Sequence, residues 1–135
     1  MNKRRLLKLA RLLEADAKNA KGVRFDLNLW GVINDEKKPV SCGTTACAMG
    51  LAVVSGVFKR DGLLPPGSQS CEPQFRSPVT GRVSFGFAAA ARLFEISIPK
   101  ASFLFSAVKY QDRRTSGAEG ERAVAKRIRE FVAAS

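Results

Sequence analysis

Two of the three cysteines share one short stretch, Cys42-Gly43-Thr44-Thr45-Ala46-Cys47-Ala48-Met49-Gly50-Leu51-Ala52. A glycine and two threonines lead there into an apolar run, the pattern of a helix start flanked by thiols. Backbone N–H groups at such a start are unpaired and favour negative charge. A thiol held against them loses its proton more readily, as redox and catalytic cysteines do. Cys42 is therefore the candidate reactive thiol, with Lys37, Lys38 or Arg24 as nearby positive charge. Against it stand the lack of a Cys-x-x-Cys pair and of any histidine to take the proton. Free cysteine is among the most buried residue types, so inert packing is the expectation for Cys42, Cys47 and Cys71.

A chain with no histidine is excluded from Ser-His-Asp and Cys-His catalysis and from the usual imidazole general base. Histidine-containing zinc sites are excluded with them. Cys42, Cys47, Cys71 and a carboxylate form a poor zinc set, because structural zinc sites pair their cysteines at short spacing. No metal, cofactor or catalytic residue is expected, and the chemistry leans away from an enzyme.

Charge is the stronger signal. The net charge is +11 and the isoelectric point about 10.2. Residues 1–24 hold eight basic and two acidic side chains, which is more than half of the excess. Clustered basic charge of this size is the footprint of a polyanion partner. The candidate phosphate contacts are Lys3, Arg4, Arg5, Lys8 and Arg11 near the start, and Arg122, Lys126 and Arg129 near the end. Nucleic acid is the first candidate partner, and an acidic protein, anchored by Trp30 or the central loop, the second.

Helices must carry these cations. Leu6, Leu9, Leu13, Ala17 and Ala20 recur at three- and four-residue steps, which predicts a helix over 3–20 with Arg4, Lys8 and Arg11 on one side. Its aliphatic stripe is narrow and carries no Trp or Phe, so docking onto the core is expected rather than membrane insertion. Residues 118–133 repeat the logic, with Val124, Ile128, Phe131 and Val132 inward and Arg122, Lys126 and Arg129 as an outer row. Between them, alternation predicts an extended segment over 23–29, with a short helical turn capped by Asp26 or Asn28 and carrying Leu29 and Trp30 as the alternative. The run from 45 to 58 is apolar nearly all round and is expected as the buried central helix, with Ala46 and Gly50 on a small-residue face. Glycine and proline mark 59–81 as a long loop, with a small hairpin near 79–85.

Residues 86–106 predict a helical hairpin with Ser97 capping its second arm and Pro99 in the first turn. The same residues resemble a helix-turn-helix, but Glu95 stands where that motif prefers glycine. Its second helix would expose Ile98 and Phe103 with only Lys100 and Ser102 to read bases. A plain helical hairpin is the expectation.

Length, composition and the broken apolar run at 6–13 fit one mainly α-helical domain, cytoplasmic and without a membrane segment. The eleven-residue cysteine stretch, together with Phe25-Asp26, Trp30, 88–94, Leu104-Phe105 and Arg127-Ile128-Arg129-Glu130-Phe131, resembles a set of small uncharacterised bacterial and phage proteins. Their core motif reads approximately Cys-Gly-Thr-x-x-Cys-x-x-Gly-Trp-Ala, and here Leu51 replaces the tryptophan. The resemblance implies a bacterial or mobile-element origin and a compact, mainly α domain. It implies no activity.

Overall fold

A computed structural model describes residues 1–18, 24–25, 32–33, 45–46, 48–65, 73–106, 109–110 and 117–135. The expectations for Cys42, Cys47, Cys71, Trp30 and most of the 23–29 segment lie outside these residues. The described fold is mainly α-helical: α1 (Lys3–Ala17), α2 (Ala48–Ser55), α3 (Gly86–Phe94), α4 (Ile98–Phe105) and α5 (Gly117–Ala133).

Helix α1 starts where Asn2 caps it, the side-chain oxygen accepting from the Arg5 N–H at 3.1 Å. Substituting such a cap by alanine typically costs ~1 kcal/mol. Leu6, Leu9, Ala10 and Leu13 are fully buried, as the heptad-like spacing predicts. Helix α5 buries Val124, Ala125 and Ile128 against the same core, while Phe131 and Val132 pack at its edge. The two helices run antiparallel: Lys3 reaches Ser135, and Glu14 reaches Arg129. Each leucine so buried contributes roughly 1.5–3 kcal/mol, so this pairing anchors the cationic helices to the core.

The central helix is shorter than its sequence suggests. Thr45–Ala46 is a strand, β3, lying between β1 (Arg24–Phe25) and β2 (Val32–Ile33), parallel to the first and antiparallel to the second. Only Ala48–Ser55 is helical, and Gly56, at φ 73°, ends it in the left-handed conformation. A run that is apolar on every side carries no helical phase, so its ends cannot be read from periodicity. Ala46 and Gly50 accordingly do not share a helix face. Residues Ala48 to Ala52 are all buried, so α2 is central as expected.

Residues 59–81 are not one loop. They contain β4 (Leu63–Leu64) and β5 (Gln74–Arg76), which form an antiparallel sheet with β6 (Val83–Phe85) in the order β4-β5-β6. The expected hairpin is its β5–β6 arm, where the Ser77 hydroxyl accepts from the Val79 and Thr80 N–H groups. Gly62 makes the β4–β5 approach possible: its φ is +114°, and a Cβ there would lie 2.2 Å from the Arg76 carbonyl oxygen.

Helices α3 and α4 form the expected hairpin, with the Ser97 side chain accepting from the Lys100 N–H. Glu95 between them is left-handed, at φ 57° and ψ 48°, the conformation for which a glycine is usual. Phe94 meets Phe58 edge-on at 5.8 Å and Phe105 at 5.6 Å, which ties the hairpin to the core. Among the described residues no helix is long and apolar enough to cross a membrane.

Candidate nucleic-acid interface

The eight predicted cations do not behave alike. Arg5 is turned inward: its Nη1 donates to the Leu93 carbonyl at 2.8 Å and its Nη2 pairs with Asp61 at 3.0 Å, while its Nε is buried without a partner. With the Asn2 N–H on the Phe94 carbonyl at 2.7 Å and the Asn2 amide on Glu95, Arg5 satisfies the open end of α3. The last carbonyls of a helix need such donors. Arg5 therefore belongs to the scaffold, not to the charged face.

Arg4, Lys8, Arg11 and Lys18 line the opposite, exposed face of α1 at steps of four, three and seven residues. Helical rise spreads them over about 21 Å. Lys8 extends over the Phe58 ring, 5.6 Å from its centroid, and donates to the Val57 carbonyl at 3.3 Å. Its stem is thereby held while the residue remains exposed, a common use of long basic side chains. Lys3, also exposed, donates to the Ser135 carbonyl at 3.4 Å.

On α5, Arg122, Lys126 and Arg129 form the outer row expected from their spacing, and all three are exposed. Antiparallel packing lays this row beside Lys18 and Glu14. Together with Glu130 these residues line a shallow groove of about 640 Å³ between the two helices. Four cations and two carboxylates face it. Glu14 grips Arg129 bidentately at 2.7 and 3.0 Å. The hydrogen bond from Arg129 holds the Glu14 carboxyl below the usual carboxylate range, and the same bond pushes Arg129 up. Lys126 lies 3.9 Å from Glu130, one turn on, where both side chains are well solvated. Such a pair contributes only ~0.3–0.5 kcal/mol and yields readily to a phosphate.

Lys18 is the groove residue that the candidate set lacked. Its place one helix length from Arg4 hides a kinship that only α5 makes visible. Arg127 was missed as well. It points away from the outer row, 4.4 Å from the Phe103 ring and 3.8 Å from that of Tyr110, and donates to the Phe103 and Lys109 carbonyls at 3.1 and 2.6 Å. Lys126 before it is exposed and Ile128 after it is buried, and the rings that hold it come from elsewhere in the sequence.

The reactive-thiol expectation for Cys42 lies outside the described residues; the nearest described elements are β3 at Thr45–Ala46 and α2, which begins at Ala48. No family model, curated protein or solved structure matches this chain.

Proposed function

We propose that this protein is a non-enzymatic nucleic-acid-binding module that grips the phosphate backbone with the paired faces of α1 and α5. One observation carries the reading: antiparallel packing sets the α5 row of Arg122, Lys126 and Arg129 around one groove with Lys18, the end of the α1 row, while Arg11 is exposed about two turns back along that row. Phosphate contacts of this kind position a protein without selecting sequence. Under this reading the protein acts in the cytoplasm, with the bacterial or mobile-element origin that the resemblance of its cysteine motif implies. Of the original candidates, Lys3, Arg4, Lys8, Arg11, Arg122, Lys126 and Arg129 remain as contacts, and Lys18 joins them.

The test is a titration of labelled DNA and RNA, single- and double-stranded, at two salt concentrations. Binding should weaken steeply with salt, with a slope of about −0.9 per phosphate engaged on duplex DNA. Reversing Arg11→Glu and Arg122→Glu together, one exposed cation from each helix, should lower affinity and flatten that slope by about two. Unchanged binding by the double variant, or no binding by the natural protein at low salt, would sink the reading. An acidic protein partner would then lead.

A further inference from the structure

Phe103 on α4 is 43% exposed even though a guanidinium covers part of its ring. A single exposed phenylalanine is ordinary; the setting of this one is not. Arg127 is fixed against it by two carbonyls, Phe103 at 3.1 Å and Lys109 at 2.6 Å, and by the buried Tyr110 ring, 3.8 Å away. Tyr110 is itself anchored through its hydroxyl to the Leu104 carbonyl. The exposed ring is thus held from α4, from residues 109–110 and from α5.

Three exposed cations lie on the segments that hold it. Lys100 precedes Phe103 by one turn of α4, and Lys109 contributes the carbonyl that Arg127 binds. Lys126, in the outer row of α5, adjoins Arg127 in sequence, so their Cα atoms lie ~3.8 Å apart with side chains about 100° apart around the helix. The guanidinium on the ring is thus one residue along α5 from the cationic row that lines the α1–α5 groove. Rigid aromatic surface interleaved with cations is what an unpaired strand requires: phosphates on the charges and a base on the π-face. Bases of an intact duplex are already stacked and are not offered in this way.

Resting on the reading above, we propose that Phe103, backed by Arg127 and flanked by Lys100, Lys109 and Lys126, is a stacking subsite for an unpaired base of a single-stranded nucleic acid whose backbone follows α5. Occupancy covers the exposed ring and brings the adjoining phosphates to the lysines.

The experiment compares the natural protein with Phe103→Leu, which keeps an apolar side chain but removes the π-face. Each is titrated by fluorescence anisotropy with a labelled oligothymidine strand, an abasic strand of the same length and a blunt duplex. The natural protein should bind the base-bearing strand about tenfold more tightly than the abasic one. Phe103→Leu should lose that margin while its abasic affinity stays unchanged, and Phe103→Trp should restore it. Equal binding of base-bearing and abasic strands by the natural protein, or a margin that survives in Phe103→Leu, overturns the subsite. In those cases salt-sensitive binding of any of the three ligands leaves the backbone reading standing. If none of them binds at low salt, both fail together.

Discussion

Across the α1–α5 interface, Glu121 meets Asp16 carboxyl to carboxyl, and burial favours the protonated form of the first. Glu121 is 3% exposed, and its Oε2 is buried without a partner. Burial first, then the hydrogen bond and negative charge of Asp16, push its carboxyl up to about 9. A buried carboxyl on α5 thus meets a carboxyl of α1 between the two cationic helices.

Stability should consequently fall as pH rises. A raised folded-state value means that the native protein holds a proton the unfolded chain releases above its ordinary value of 4.5. The contribution is complete below that value and is lost progressively as pH climbs through about 9. The limiting slope is about 1.4 kcal/mol per pH unit. Urea unfolding across this window checks it. Glu121→Gln, which keeps a donor without a titrating proton, should flatten the profile and be more stable than the natural protein at pH 8.

Removing a carboxylate from the groove should strengthen ligand binding. Glu14→Gln frees Arg129, and affinity for a polyanion should rise several-fold with a steeper salt dependence. The stability cost should be small, ~0.5 kcal/mol or less, because both partners are more than a third exposed. Anisotropy titrations beside a thermal melt measure the two effects. Weaker binding by Glu14→Gln would show that the groove does not face the ligand.

The amphipathic helices of this protein were easier to read than the segment between them. Three- and four-residue steps fixed α1 and α5 because each has one apolar side, and Ser97 with Pro99 fixed the start of α4. Thr45 misled: a threonine before an apolar run reads as a cap, yet here it pairs with Arg24 and Ile33 across strands distant in sequence. Arg4 and Arg5 make the same point for the charged face. They are adjacent and identical, and what separates them is Asp61, brought from another element. Composition announces how much charge there is; tertiary packing decides which part of it is available.

Neighbouring arginines should therefore respond differently to truncation. Arg5→Ala should cost about 2 kcal/mol, because charge-assisted bonds to Asp61 and the Leu93 carbonyl are lost together. Arg4→Ala should stay within ~0.5 kcal/mol of the natural protein while weakening nucleic-acid binding. Chemical denaturation and salt-dependent titration on the two variants separate scaffold from interface.

Gly62→Ala should be among the most damaging single-methyl changes in the chain. Its Cβ would sit 2.2 Å from a backbone oxygen, which cannot swing aside as a side chain would, at a φ of +114°. A loss of ~2 kcal/mol or more is expected, read as a lowered Tm. Gly81→Ala, also at positive φ but with open space around the added methyl, should cost less.

The helices that present the cations also bury Leu6, Leu9, Leu13, Val124 and Ile128. Like charges on Lys18, Arg122, Lys126 and Arg129 thus strain the same joint that those residues close. A ligand that neutralises the groove relieves this self-repulsion, and mass action adds about 2.7 kcal/mol when its concentration reaches a hundred times Kd. Occupancy of the outer face should accordingly be visible from the core, as a melting temperature that rises with ligand concentration.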